Sequence, residues 1–274
     1  MLYVVGTPIG NLEDISLRAL NVLREVSLIA AEDTRKTRRL LARYDIKAPL
    51  TSYHEHNKTT RLPRLLEHLQ NEDIALVSEA GMPGLSDPGY ELIRAAIERG
   101  IEVVPVPGPS AVVTALVVSG LPAHSFVYLG FLPRRKGERR RLLASLADET
   151  RTMVAFEAPH RLLATLRDIS DLFGQRRLAL CRELTKLHEE VFRGTANQAL
   201  QHFQEPRGEF TLVIEGAASD RNREVGIELM EELARLRKQG VKGREAVSRV
   251  AQAFGIPRNR VYRAWLEVSK ESRE

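Results

Sequence analysis

The stretch IALVSEAGMPGLSDPGY, residues 74–90, joins a short apolar run to a loop rich in glycine and proline, and it decides the fold class. The run IALV has the length and composition of a buried strand, and the residues from Tyr90 to Arg99 have the apolar period of a helix. In an open α/β sheet, the loops after the carboxyl ends of the strands form the ligand crevice. This loop is therefore the first candidate site.

The same order of strand, loop and helix repeats outward from this stretch. Strands are predicted at LYVV (2–5), SLIAA (27–31) and IEVVPV (101–106), and helices near residues 15–24, 34–43 and 110–118. Such alternation is typical of an α/β domain, which we predict over residues 1–119.

A second α/β domain is predicted over residues 120–216. Its strands are expected at SFVYLGF (125–131), MVAFE (153–157), RLALCRE (177–183), HEEVFRG (188–194) and FTLVIEG (210–216), with a helix near 161–173. The third and fourth of these strands are nearly adjacent in sequence, which favours antiparallel pairing. We therefore expect a mixed sheet.

Residues 217–274 have no strand pattern and are predicted to form a small C-terminal helical domain. Helices are expected at 224–240, 244–254 and 258–269. Two short helices around a glycine-containing turn give a helix-turn-helix outline. This outline fits either contact with nucleic acid or a simple helical cap.

The net charge of +5, from 41 basic and 36 acidic residues, is too small to identify a nucleic-acid-binding protein. The positive charge is nevertheless concentrated near residues 35–43, 134–141 and 235–263. We expect the second of these stretches to be a mobile basic loop between the domains. Either these are solvated helix faces or they bind phosphate groups. The residues predicted to contact RNA are Arg35, Arg134, Arg135, Lys136 and Arg139.

Several classes of site and compartment are disfavoured. No run approaches the roughly 18 apolar residues that cross a bilayer, and MLYVVGTPIG has no basic region, so we expect a cytoplasmic protein without membrane contact. Cys181 is the single cysteine, in an apolar run, and we expect a buried structural thiol. His54 and His56 lack further ligands nearby, so we expect no metal.

Four loops that follow predicted strands carry the remaining signal: GTPIGN (6–11), AEDTR (31–35), SEAGMPGLSDPG (78–89) and PVPGPSA (105–111). None has the GxGxxG or GxxxxGK[ST] spacing of a dinucleotide or nucleotide phosphate loop. Glycine permits close approach of a ligand and proline stiffens the backbone, so these loops suit a flat ligand with hydrogen-bonding edges.

Taken in order, these loops, together with GFLPRR (130–135), FEAPHR (156–161) and RELTKLHEE (182–190), resemble the tetrapyrrole methylase superfamily. Within it, they resemble the ribosomal RNA small subunit methyltransferase I family, which methylates the 2′-hydroxyl of a cytidine in the decoding region of 16S ribosomal RNA. The resemblance covers residues 1 to about 216.

The resemblance implies that S-adenosyl-L-methionine lies between the two α/β domains and that the enzyme is a homodimer acting on ribosomal RNA or the small ribosomal subunit. Carried over by position, the cofactor contacts are Ile9, Ala80, Gly81, Met82, Leu85, Ser110, Ala111, Phe156, Glu157 and Leu184. Relatives commonly have Asp and Thr where this chain has Glu79 and Met82. We expect cofactor binding to survive both differences, because Glu can reach the same donors and Met keeps its backbone amide.

Methyl transfer to a ribose hydroxyl is helped by a general base. The candidates in the loops are Asp33, Glu79, Asp87 and His160. Three of them have a structural alternative: Asp33 could cap a helix, Asp87 could fix a turn, and His160 could begin its helix.

Two other functions remain open at this point. A small-molecule methyltransferase acting on a tetrapyrrole would share the fold and the cofactor, although spread-out basic charge fits a polymer better. A non-catalytic ribosome-binding factor could retain the fold without binding the cofactor.

Overall fold

The computed structural model describes residues 1–218, 220–254, 258, 261–262 and 264–266. The chain divides into two compact units, Met1–Gly216 and Ala217–Glu274. The predicted boundary at residue 216 coincides with this division, whereas the predicted boundary at residue 119 falls inside the first unit. No helix in the described part of the chain is long and apolar enough to span a membrane.

A parallel five-stranded sheet forms the first part of Met1–Gly216. Its strands lie in the order β3-β2-β4-β1-β5. They are β1 (Leu2–Val5), β2 (Leu28–Ala31), β3 (Leu50–Ser52), β4 (Ile74–Val77) and β5 (Val103–Val106). Buried clusters lie on both faces, one including Leu23 and Ile29 and the other including Leu66 and Leu92. A sheet covered on both faces explains why its strands are continuous apolar runs.

Helices α1 (Leu17–Glu25), α2 (Thr34–Arg43), α3 (Lys58–His68) and α4 (Tyr90–Glu98) accompany this sheet, and α5 (Ala111–Ser119), which follows β5, packs against the second sheet. The predictions for α1, α2, α4 and α5 are confirmed within a few residues. Strand β3 and helix α3 were not predicted. Strand β3 has only three residues, and α3 contains Pro63 and begins without a side-chain cap, so neither gives a clear signal in sequence.

The second sheet is mixed, as predicted, with the strand order β6-β7-β10-β8-β9. Its strands are β6 (Phe126–Phe131), β7 (Thr152–Glu157), β8 (Arg177–Arg182), β9 (Glu190–Thr195) and β10 (Phe210–Ile214). Strands β8 and β9 are antiparallel, which confirms the expectation from their short connection, and only the β6–β7 pair is parallel. Helices α7 (Pro159–Phe173) and α8 (Ala196–His202) pack together beside this sheet.

Helix α5 joins the two sheets into one unit. Its residues Val112, Ala115 and Leu116 pack in one buried cluster with Val154 and Val213 of the second sheet. The division of residues 1–216 into two domains at residue 119 stays a prediction, and the packing of α5 shows that the two parts share a core.

The basic stretch after β6 is a helix rather than the mobile loop we expected. Helix α6 (Lys136–Ser145) packs against α7. Leu143 of α6 is fully buried, and Arg139, one turn earlier, is only 3% exposed. Gly137 in the first turn and the dense charge hid this helix in the sequence.

In the second unit, helices α9 (Asp220–Lys238) and α10 (Gly243–Phe254) pack around a small core that includes Leu233, Val250 and Val261. Both helices were predicted. Most of the predicted last helix, 258–269, lies outside the described residues; those described within it, 258, 261–262 and 264–266, are helical.

Candidate functional site

A cavity of about 370 Å³ lies between the two sheets and is the main candidate site. On one side it is lined by the loops after β1, β2, β4 and β5, whose carboxyl ends meet at one edge of the parallel sheet. On the other side it is lined by the ends of β6 and β7, by β8, and by the start of β10. This first cavity is therefore at the position where an open α/β sheet holds its ligand.

All ten residues predicted to contact the cofactor line the first cavity. They are Ile9, Ala80, Gly81, Met82, Leu85, Ser110, Ala111, Phe156, Glu157 and Leu184. They come from five separate segments of the chain, so a common location is not a consequence of sequence proximity. That they contact a cofactor stays a prediction.

Two of the glycine-rich loops are held together by backbone pairing. The amide of Thr7 donates to the carbonyl of Gly81 at 2.9 Å, and the amide of Gly81 donates back to Thr7 at 3.0 Å. Gly81 has a φ of +83°, a conformation that favours glycine. The pairing fixes the floor of the cavity next to Ile9 and Ala80.

Gly10 allows the first loop to approach the loop after β8. A Cβ atom at Gly10 would lie 2.5 Å from Cγ of Lys186 and 2.9 Å from the carbonyl oxygen of Leu184. The hydroxyl of Thr185 accepts a hydrogen bond from the Asn11 amide at 3.0 Å. Because Gly10 has no side chain, the two loops can lie against each other, and Ile9 and Leu184 line the same cavity from different sheets.

The segment LSDPG (85–89), which contains Leu85 and Asp87, has a strained backbone. Ser86, a non-glycine residue, has a φ of +65°. Its hydroxyl is 2.6 Å from the hydroxyl of Tyr128 on β6, so a hydrogen bond ties the turn to the second sheet. This hydrogen bond holds the turn in its strained conformation beside the cavity.

Carboxyl groups line the cavity at its first-sheet side. Burial, together with the nearby charges of Glu32 and Glu79, raises the pKa of Asp87 to about 7, against a hydrogen bond from Ser78 that lowers it. Burial also raises the pKa of Glu32, whose Oε2 accepts the Glu79 amide at 2.9 Å. Glu79 itself forms an ion pair with Lys36.

Asp87 is therefore the one predicted catalytic candidate that combines a position in the cavity with a pKa near neutrality. Glu79 also lines the cavity, but its carboxylate is held in an ion pair with Lys36. Asp33 does not line the cavity; it caps α2, accepting the amides of Arg35 and Lys36 at 2.7 and 3.2 Å, and these bonds lower its pKa. His160 is exposed at the start of α7 and does not line the cavity.

Glu157 has a structural role in addition to its place in the cavity wall. It is 2% exposed and accepts hydrogen bonds from Thr165 at 2.5 Å and from the amide of Ala158 at 2.8 Å, and Arg161 lies 2.6 Å away. The carboxylate of Glu157 thus already accepts hydrogen bonds from neighbouring residues of the chain, and these bonds hold the start of α7 in place.

Sequence reasoning missed several residues of the cavity, above all Glu32, Phe131, Glu209 and Thr211. Glu32 stands directly after β2 in the quoted AEDTR loop, so its position at a strand end was the available signal. Thr211 lies within β10, where nothing in the sequence distinguishes it from its neighbours.

The cations predicted to contact RNA differ in their surroundings. Arg35 is exposed at the start of α2, and Arg134, Arg135 and Lys136 are exposed at the start of α6. Arg139 is wrongly included: its guanidinium donates to Asp168 at 2.7 and 2.8 Å in the interior. The sequence places Arg139 in a basic run but does not show its partner on α7.

Cys181 is buried, as predicted, and burial raises the pKa of its thiol to about 12. The thiol is therefore protonated and not a nucleophile near neutral pH. Among the described residues, no group of three or more His, Cys, Asp or Glu side chains could hold a metal ion.

Comparison with known proteins identifies the family. The model of the family described as Tetrapyrrole (Corrin/Porphyrin) Methylases matches residues 1–200. The protein named ribosomal RNA small subunit methyltransferase I from Halalkalibacterium halodurans is 46% identical over 268 residues, 95% of this chain and 93% of the relative. The protein of the same name from Thermotoga maritima is 54% identical over 218 residues, 78% of this chain and 98% of the relative.

Among solved structures, uroporphyrin-III C-methyltransferase from Thermus thermophilus, in complex with S-adenyl homocysteine, superposes with a TM-score of 0.57. It is 19% identical, and the match covers 78% of this chain and 96% of that one. This likeness concerns the fold. From the family model and the two relatives together, the chain belongs to the tetrapyrrole methylase family and, within it, to the ribosomal RNA small subunit methyltransferases I.

Proposed function

We propose that this chain is an enzyme that transfers a methyl group from S-adenosylmethionine to the 2′-hydroxyl of a cytidine in the decoding region of 16S ribosomal RNA. The observation that carries this proposal is the first cavity, which brings together residues from five segments that the family resemblance assigns to the cofactor. The chain's membership of the methyltransferase family supports the reaction, and its relatives' printed names support the ribosomal RNA.

The composition of the first cavity fits the donor. Its volume of about 370 Å³ is suited to a ligand of this size. Apolar side chains, Ile9, Leu85, Phe156 and Leu184, can enclose an adenine ring and a methionine chain. The cavity wall contains carboxyl groups and, among the described residues, no Lys, Arg or His. Such a wall favours a ligand with positive charge, as the sulfonium and ammonium groups provide.

When bound, S-adenosylmethionine supplies a methyl group on a sulfonium, which leaves as a neutral thioether. The protein's main contribution is to hold the acceptor oxygen in line with that group. The turn containing Leu85 and Asp87 is fixed by the Ser86–Tyr128 hydrogen bond, so the carboxyl group has a defined position. We assign Asp87 as the general base: its carboxylate takes the proton of the 2′-hydroxyl as the new oxygen–carbon bond forms.

The finer features of the proposal concern the partner and the assembly. Exposed Arg35, Arg134, Arg135 and Lys136 would contact RNA phosphates, which position a strand without reading its sequence. Val113 and Val117, one turn apart on α5, are 53% and 71% exposed, and such an apolar surface suits the contact between two protomers of a homodimer. The cytoplasm is the compartment expected for this activity.

The test is transfer of a labelled methyl group from S-adenosylmethionine to small ribosomal subunits isolated from cells that lack this protein. Label in the RNA supports the proposal. Transfer to a porphyrinoid but not to subunits would replace it with a small-molecule methyltransferase. Absence of donor binding by calorimetry would replace it with a non-catalytic ribosome-binding factor.

A further inference from the structure

We propose that a second cavity, beside the first, binds a phosphate group of the RNA strand that carries the acceptor ribose. This cavity has a volume of about 280 Å³ and lies among the loop after β1, helix α2, the loop after β4 and two residues of the second sheet's loops. The inference rests on the proposed function, because it takes RNA as the acceptor. It adds a site that the family resemblance did not include.

The two cavities share one wall. Ile9, Glu79, Ala80 and Glu209 line both of them. A phosphate is the direct neighbour of each ribose in an RNA strand. A ribose presented to the first cavity therefore carries its own phosphates towards the shared wall, on whose other side the second cavity lies.

The two cavities differ in charge, since cations line the second and none lines the first among the described residues. The second is lined by Lys36, Arg39 and Lys186 together with Glu79 and Glu209. Lys36 pairs with Glu79, and Nζ of Lys186 lies 2.9 Å from Glu209 and 3.0 Å from Glu183, which does not line the cavity. Arg39 is therefore the lining cation that has no carboxylate partner among the described residues. Since carboxyl groups line the first cavity, it favours the cationic donor, and the cations of the second cavity favour the anionic phosphate on the other side of the shared wall.

Arg39 is the residue best suited to hold the phosphate. It is exposed, and its guanidinium has no hydrogen-bond or ion-pair partner among the described residues. It lies one turn after Lys36 on α2, so both side chains are on one face of the helix. A guanidinium offers paired N–H donors that match phosphate oxygens.

The opposite wall of the second cavity depends on Gly10. The absence of a side chain there allows Lys186 to lie against the first loop, since an added Cβ would be 2.5 Å from Cγ of Lys186. Buried Thr7 and Ser78 complete the polar lining, at 4% and 2% exposure. Cations from both sheets therefore converge on one space.

The test compares two neighbouring arginines of α2. Arg39→Gln removes one positive charge from the second cavity, and Arg38→Gln removes a positive charge that is also exposed but does not line it. The affinity for a target-site oligoribonucleotide is measured by fluorescence anisotropy over a range of salt concentrations. The affinity for S-adenosylmethionine is measured by calorimetry.

We expect Arg39→Gln to weaken RNA binding about tenfold or more and to reduce the slope of log affinity against log salt by about 1, with Arg38→Gln having a much smaller effect. Donor affinity should be the same in all three proteins. Equal RNA affinity for the two variants would overturn the proposal. A loss of donor affinity in Arg39→Gln would overturn it as well, since the second cavity would then hold part of the donor.

A neutral methylphosphonate placed on either side of the target nucleotide identifies the phosphate. At one position it should weaken binding to the unaltered protein and have no further effect on Arg39→Gln. Equal weakening of both proteins at both positions would contradict a contact with Arg39. If the unaltered protein methylates no ribosomal RNA, the proposed function fails first; if it does and the variants behave alike, only the second cavity fails.

Discussion

Replacement of Asp87 by Asn tests whether a carboxyl group of the first cavity takes the proton of the acceptor. A general base contributes typically 10²- to 10⁴-fold, so we expect kcat to fall by about that factor with donor affinity retained. Asp33→Asn is the matched control, since Asp33 lies outside the cavity and Asn caps a helix about as well as Asp. Methyl transfer at saturating donor measures both variants.

The pH dependence follows from the pKa of about 7 at Asp87. Only the deprotonated carboxylate can accept a proton. The value of kcat/KM should therefore be constant above pH 7 to 8 and fall to about a tenth at pH 6 and about a hundredth at pH 5. Glu32→Gln removes a charge that raises this pKa and keeps an acceptor for the Glu79 amide, so it should move the fall in rate to lower pH.

Stability gives an independent measure of the same pKa. Because burial raises the pKa of Asp87 in the folded state, its protonated form stabilises the fold, and this contribution declines as the pH rises from about 4 to 7. The free energy of unfolding of Asp87→Asn relative to the unaltered protein should rise over that range and then stay constant.

A kcat/KM profile that is flat between pH 5 and 8, or an Asn variant with nearly full activity, would refute the assignment of Asp87 as the base.

Three further predictions follow from the remaining surfaces. Asp168→Ala should lower the free energy of unfolding by about 3–5 kcal/mol in urea titrations, because it leaves the buried charge of Arg139 without its partner; a loss below about 1 kcal/mol would contradict the burial of that pair. Combined replacement of the exposed cations at the start of α6 by Ala should lower RNA affinity and flatten its salt dependence; these cations are Arg134, Arg135 and Lys136. An unchanged slope of log affinity against log salt would show that they do not belong to the RNA-binding surface. Deletion of residues 218–274 should weaken RNA binding and leave donor binding nearly unchanged, since every residue lining the first cavity lies before that segment. Calorimetry measures the donor affinity of the shortened protein and fluorescence anisotropy its RNA affinity, and an unchanged RNA affinity would contradict the prediction.

The last of these predictions has support in the comparison with Thermotoga maritima. The alignment covers 98% of that relative but only 78% of this chain, a share close to that of Met1–Gly216. A relative of the same name thus has a length close to that of the first unit. Every residue that lines the first cavity lies before residue 217, so we expect the contribution of the second unit to appear in RNA binding rather than in donor binding.

The parallel sheet could be predicted because its strands are buried on both faces and so form continuous apolar runs. Strand β3 could not, since three half-buried residues give no pattern. Helix α6 was misread because local sequence records charge and not partners. The burial of Arg139 depends on Asp168, which is 29 residues further along the chain.

The candidate site shows the same division between local and long-range information. The loops pointed to the cavity because each follows a strand end, and all ten predicted cofactor residues line it. The choice among carboxylates depended on the fold. Asp33 and Asp87 both lie in loops that follow strands, yet Asp33 caps α2 and Asp87 is half-buried in the cavity. The sequence does not distinguish these two environments.

The measurement that tests the central claim most directly is the identity of the methylated nucleotide. Small ribosomal subunits from cells lacking this protein would be treated with labelled S-adenosylmethionine and either the unaltered protein or Asp87→Asn, and the RNA digested and analysed by mass spectrometry. We predict a single labelled 2′-O-methylcytidine in the decoding region, formed by the unaltered protein and greatly reduced with the variant. Label on a base, or label formed equally by both proteins, would contradict the account.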